Sequence, residues 1–181
     1  MELDATVEAL APRLLRYCLG RTGSPEAAEE AAQDALAALV GRWRRHGPPE
    51  SPAAFVFAVA RRRAWRAAVR RRLLLPLAAL TDGHGGRGAG VPAELVYPSA
   101  ARDQEEQAVA RGEITRTLAA LRRLPARDRE ALLLVAGGEL ATEEAAGVLG
   151  VSRSAFKMRV HRARKRLSDL LEASDGRFHR A

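Results

Sequence analysis

Aromatic residues are scarce in this chain, at 4% of 181 residues, so no core can be assembled from large rings. Leu, Val and Ala must fill it instead. They suit helices, because Ala and Leu lose little side-chain freedom there, whereas strands draw on β-branched and aromatic residues. Cysteine is scarcer still. With Cys18 alone, an intramolecular disulfide and a cysteine-based zinc site are both excluded, and Cys18 reads as a small buried apolar residue on a helix. No apolar run approaches the roughly 20 residues needed to cross a bilayer. The first residues, which include Glu2 and Asp4, lack the basic-then-apolar order of a secretory leader. The expectation is a cytoplasmic chain without membrane insertion. Catalytic patterns are missing as well. The histidines at 46, 84, 161 and 179 are scattered, with no His-Glu-x-x-His, phosphate-binding loop or nucleophile elbow. His84 lies among glycines and reads as a solvated loop residue. No catalysis, no cofactor and no metal are expected.

Acidic residues are absent from two stretches where basic ones crowd. Residues 61–72 hold seven arginines and no acid, and residues 153–166 hold seven Lys or Arg, again with no acid. The formal net charge is +8. An excess of that size points to a polyanion, nucleic acid before an anionic membrane surface. Two separate tracts predict two contacts.

The apolar pattern resolves into helices. Val7, Leu10, Ala11, Leu14, Leu15, Cys18 and Leu19 form the i, i+3, i+4, i+7 stripe of an amphipathic helix. Gly20 and Gly23 weaken it. Ser24-Pro25-Glu26 then reads as a cap, a first-turn proline and a first-turn acid. The helix so started carries Ala28, Ala31, Ala32, Ala35, Leu36, Leu39, Val40 and Trp43 on one face. After Gly47-Pro48-Pro49, Ser51-Pro52 repeats the start signal for a third helix with Phe55, Val56, Val59 and Ala60 inward. Residues 76–105 lose the pattern and are rich in Gly and Pro, which predicts a flexible linker and hence two domains. The second block resumes with Val109, Ile114, Leu118 and Leu121 at helical spacing, followed after Pro125 by a stripe of Leu132, Leu133, Val135 and Ala136. The expected fold is all-α, with two small helical domains: residues 1–75, the linker 76–105, residues 106–173, and a polar tail 174–181.

Residues 140–167 carry the clearest functional pattern. A short helix over 142–149 with Ala145 and Leu149 inward precedes Gly150-Val151-Ser152, and a strongly basic helix follows, running to about Glu172. This is helix-turn-helix spacing: Ala145 is small where the helices cross, Gly150 permits the tight turn, and Ser152 caps the second helix. Phe156, Val160, Ala163 and Leu167 fall on the core face. Arg153, Ser154, Lys157, Arg159, His161 and Arg162 are left outward, as major-groove readout requires.

These residues resemble region 4 of the extracytoplasmic-function (group IV) bacterial sigma factors. The likeness lies in Leu124-Pro125-Ala126-Arg127-Asp128-Arg129-Glu130, in Glu143-Glu144-Ala145-Ala146-Gly147-Val148-Leu149-Gly150, and in Phe156-Lys157-Met158-Arg159-Val160-His161-Arg162-Ala163-Arg164. The first block is similar to region 2 of that family, through Pro12-Arg13-Leu14-Leu15-Arg16-Tyr17, Ala28-Glu29-Glu30-Ala31-Ala32-Gln33-Asp34-Ala35-Leu36 and Phe57-Ala58-Val59-Ala60-Arg61. The resemblance implies an alternative sigma factor that directs promoter-specific initiation. Its partners would be core RNA polymerase, through the β′ clamp helices and the β flap, together with promoter DNA and an anti-sigma factor. It places Glu30, Gln33, Asp34 and Leu36 on the polymerase-binding helix. It puts Arg61, Arg62, Arg63, Trp65, Arg66 and Arg70 along the melted minus-ten strand. Arg153, Ser154, Lys157, Met158, Arg159, His161 and Arg162 would face the minus-thirty-five duplex. Trp65 reads equally as a stacking platform or a core residue.

The chain departs from the family pattern at Arg62, where Asn is usual, at Arg66, where Asp is usual, and at Ala141, where a polar cap is expected. Thr142 is then expected to cap one residue late, and Gly137-Gly138 to be loose. The alternative function is a stand-alone helix-turn-helix regulator, which has no need of a second arginine tract far from its reading head.

Overall fold

The computed structural model describes residues 2–64 and 104–178. Every regular element among them is helical, and the chain divides into two compact units, Met1–Val91 and Pro92–Ala181. The expected linker lies almost wholly outside the described residues, as do Trp65, Arg66 and Arg70.

In the first unit, α1 spans Leu3–Thr22 and α2 spans Pro25–His46; residues 52–64 form α3. The capping signals act as the sequence requires. Gly23 takes the left-handed conformation (φ 67°) and donates its N–H to the Leu19 carbonyl at 2.8 Å, closing α1. Ser24 Oγ accepts the Ala27 N–H at 3.4 Å and Ser51 Oγ accepts that of Ala54 at 3.0 Å, so both prolines sit in a first turn where no N–H is missed. Pro12 lies inside α1, yet the helix continues through it on an exposed face.

α1 packs along α2 through the alanine row Ala28, Ala31, Ala32 and Ala35, all buried with Leu39. Small residues at i, i+3, i+4 and i+7 let the backbones approach closely. Two rings complete this core: Tyr17 and Phe57, both fully buried, meet edge-on, with centroids 5.3 Å apart and planes at 73°. Such a pair adds about 0.5–1.5 kcal/mol beyond its burial. The expected inward residue of α3, Phe55, is only half-buried, and Phe57 takes its place beside Val56, Val59 and Ala60. Tyr17, absent from the expected α1 stripe, is fully buried. Leu36, Val40 and Trp43 are half-buried rather than core.

The second unit begins with α4, Gln104–Arg123, then α5, Ala126–Leu132. A π-helical turn, Leu133–Gly137, follows α5 directly. In it the Gly138 N–H bonds the Leu133 carbonyl at 2.8 Å, and the Leu140 N–H bonds that of Leu134 at 3.1 Å. The wider turn rotates the chain out of 3.6-residue register, so Leu134 is buried while Val135 is half-buried and Ala136 exposed, against the expected stripe. Glu139 then adopts φ 51°, a left-handed position that costs a side-chain-bearing residue about 1–2 kcal/mol. The Gly137-Gly138 segment is thus a defined turn.

Next come α6, Thr142–Leu149, and α7, Arg153–Phe178. α4, α5 and α6 each pack on α7. Thr142 is the first helical residue of α6 rather than its cap. Ala141 holds the cap position, and the Glu144 carboxylate reaches back to accept its N–H at 3.3 Å. In α6, Ala145, Ala146 and Val148 are buried, whereas Leu149, expected inward, is half-buried. α7 continues past the expected end near Glu172 to Phe178.

Candidate nucleic-acid interface

The corner between α6 and α7 is built by backbone bonds. Gly150 sits at φ 65° and ψ 39°. Its N–H bonds the Gly147 carbonyl at 3.1 Å, and the Val151 N–H bonds that of Ala146 at 3.1 Å. This pair of bonds is the Schellman arrangement that ends a helix and turns the chain. Ser152 Oγ then accepts the Ala155 N–H at 3.2 Å and starts α7. Beneath the corner, Ala145 is fully buried, and Phe156, Val160 and Ala163 anchor α7 in the core. Leu167, expected with them, is half-buried.

An ion pair joins the far side of α7 to α5, between Arg166 and Asp128. The Asp128 side chain is 10% exposed and that of Arg166 is 53% exposed, so the carboxylate is nearly buried while its partner reaches water. Leaving a buried carboxylate unpaired is costly. The pair therefore fixes how α7 lies on its unit. Neither residue was singled out for this role in the sequence, where they stand 38 residues apart with no local pattern linking them.

With its core face held, α7 presents Arg153, Ser154, Lys157, Met158, His161 and Arg162 to solvent; Arg159 is half-buried on the flank. Ser154, Met158 and His161 follow at i, i+4 and i+7 along the middle of the outer face. Arg153 is not free: its Nε lies 2.9 Å from Glu143 Oε1 on α6, with side chains 62% and 59% exposed. A cleft of about 220 Å³ opens beside this face, with Val135, Phe156 and Val160 among its lining and Lys157, His161 and Arg164 also contributing.

In the first unit, Glu30 and Gln33 are exposed and Asp34 is half-buried on the outer face of α2; Leu36 lies half-buried on its flank. On α3, Arg61 is half-buried, and Arg62 and Arg63 are exposed. The fold brings members of these two groups together, since Arg63 Nε stands 3.4 Å from Asp34 Oδ2, each side chain 46% exposed. No helix among the described residues is long and apolar enough to cross a membrane.

A helix-turn-helix with a solvent-facing basic helix defines a DNA-binding protein. Comparison with known families narrows the class. The family model for sigma-70 region 2 matches residues 6–73, and that for sigma-70, region 4, matches residues 114–167. The chain is 30% identical over 183 residues to the ECF RNA polymerase sigma factor SigD of Mycobacterium tuberculosis, covering 95% of this chain and 78% of that protein. It is 28% identical over 163 residues to the ECF RNA polymerase sigma factor EcfG of Rhodopseudomonas palustris, covering 90% and 81%. It therefore belongs to the extracytoplasmic-function sigma factors, the alternative sigma factors of RNA polymerase. Among solved structures, the sigma factor RpoE of Bartonella quintana, in complex with the anti-sigma factor NepR, superposes with a TM-score of 0.66 at 22% identity, over 93% of this chain and 96% of that one. CnrH in complex with the cytosolic domain of CnrY gives 0.63 at 20% identity, over 94% and 88%. Both share its helical fold.

Proposed function

We propose that the second unit reads the minus-thirty-five element as duplex DNA while the first binds core polymerase and opens the minus-ten element. The observation that carries this is the outer face of α7, where Arg153, Ser154, Lys157, Met158, Arg159, His161 and Arg162 surround a helix held from behind by Phe156, Val160 and Ala163. Residues of that kind on the N-terminal half of a recognition helix contact base edges, and flanking cations neutralise phosphates.

Glu30, Gln33, Asp34 and Leu36 meet the β′ clamp helices. Arg61, Arg62, Arg63, Trp65, Arg66 and Arg70 follow the displaced strand, and region 4 rests on the β flap. In this reading the domains are residues 1–75 and 106–173, joined by a linker over 76–105. The protein works in the cytoplasm and has no catalysis of its own. An anti-sigma factor holds it when it is off; the relatives solved with NepR and with the cytosolic domain of CnrY support that partner.

The test is run-off transcription with purified core polymerase, genomic promoter fragments and the full chain. Start-site-specific transcripts that depend on the chain are expected. If no transcript forms and core polymerase does not bind it, the division of labour proposed here fails.

A further inference from the structure

Among the residues whose side chains are described, one large hydrophobic is exposed: Met158, at 57%. It lies in the N-terminal half of α7, one turn after Ser154 and one turn before Arg162. That is the half of a recognition helix that meets base edges. Apolar surface left in water gains free energy when something covers it, and the surroundings restrict what can. Lys157 and Arg162 are exposed beside it, and Arg153 stands a turn back in its pair with Glu143, so the face favours a polyanion.

Within a polyanionic duplex, Met158 has little to offer a hydrogen-bonding base edge, because its thioether is at best a weak acceptor. The apolar group that the major groove displays is the C5-methyl of thymine. An unbranched, polarizable side chain adapts to such a group without a fixed geometry. A protein partner fits this position less well. The apolar lining of the neighbouring cleft is supplied by Val135, Phe156 and Val160, and Met158 is not among the residues that line it.

We propose that Met158 is a specificity-determining residue that reads the methyl group of one thymine in the minus-thirty-five element. This rests on the reading of α7 as the duplex-contacting helix. Arg and Lys around it neutralise phosphates or hydrogen-bond base edges, whereas Met158 discriminates by covering a methyl.

The experiment uses holoenzyme assembled from core polymerase and the full chain, on a promoter found by run-off transcription. Thymines of the minus-thirty-five element are replaced by deoxyuridine one at a time, in either strand, and holoenzyme is titrated to give apparent promoter affinity. Deoxyuridine lacks only the methyl, so burial of that group sets the scale at about fourfold. One position is expected to weaken by about that factor with the native chain and to show no thymine-over-uracil preference with Met158→Ala. Met158 is exposed, so the substitution leaves the core intact, and an unchanged melting temperature verifies this.

Transcription that tolerates uracil at every position overturns the proposal and leaves the sigma-factor reading standing. So does a uracil effect that persists in Met158→Ala, which assigns the methyl to another side chain. An element without any A·T pair overturns it outright. Loss of binding to a protein partner in Met158→Ala, with the thymine preference unchanged, gives the residue to that partner instead. Absence of transcription from the all-thymine promoter overturns both readings.

Discussion

Cys18 is fully buried on α1, and that burial pushes its thiol from an ordinary 9.0 up to about 12, against a lowering pull from Arg21. Only the thiolate is a good nucleophile, so the native chain is expected to resist iodoacetamide at pH 8 and to react once urea unfolds it. Rapid labelling of the folded chain, followed by mass spectrometry, would show that the first unit opens readily. The raised value also has a sign for stability. The unfolded thiol loses its proton near 9 and the folded one near 12. This group's contribution is therefore whole below pH 9 and lost as pH rises from 9 to 12. Urea unfolding across that interval is expected to decline less steeply for Cys18→Ala than for the native chain. Arg166→Ala leaves the Asp128 carboxylate on α5 nearly buried without its partner. The expected loss is about 1–3 kcal/mol. Asp128→Ala with Arg166→Ala is expected to cost less than the two single changes added together. Strict additivity in urea titrations would mean that the pair does not hold α7.

At the scale of elements, the turn between α6 and α7 offers a contrast between two glycines. Apart from the adjoining backbone, neither Gly147 nor Gly150 has an atom within 4 Å of where a Cβ would stand, so space does not separate them. Conformation does. Gly150 is left-handed at φ 65°, and Gly150→Ala is expected to destabilise by about 1 kcal/mol. Gly147 is an exposed residue of the helix itself, and Gly147→Ala is expected to stabilise by up to about 1 kcal/mol. Thermal unfolding that shifts in the same direction for both would contradict the helix-plus-corner geometry. This corner was legible in the sequence, because glycine, serine and proline at helix ends act through local backbone bonds. The Ser24, Ser51 and Ser152 caps and the limits of α6 could be read for the same reason. What periodicity could not deliver was the π-helical turn, since hydrogen bonds longer than i to i+4 shift the register and exchange Ala136 for Leu134 in the core. Nor could it choose Phe57 over Phe55 or find Tyr17. That choice depends on the Tyr17–Phe57 contact, a pairing across 40 positions of sequence.

For the whole molecule, the outward residues of α7 were legible because a basic face with an apolar back leaves few orientations. Their pairing was not. Glu143 was visible only as part of a family motif, and nothing in its spacing disclosed that it meets Arg153 across the turn at 2.9 Å. That contact bears on how a chain of net charge +8 divides its affinity between DNA and polymerase. One recognition helix alone binds duplex weakly, while docking through the first unit raises the effective concentration of the second at its site. The free chain is therefore expected to bind a minus-thirty-five duplex weakly and with strong salt dependence. The exposed Glu143–Arg153 pair contributes little to folding, but its carboxylate repels the DNA backbone and occupies a cation that could neutralise a phosphate. Glu143→Gln is accordingly expected to tighten binding of the free chain to specific and random duplexes alike. The plot of log affinity against log salt should steepen by up to about 0.9, the value of one added phosphate contact. Fluorescence anisotropy over a salt series measures both quantities. A steeper slope on both duplexes assigns Arg153 to a phosphate; tighter binding on the promoter duplex alone assigns it to a base edge; no change in either removes it from the interface.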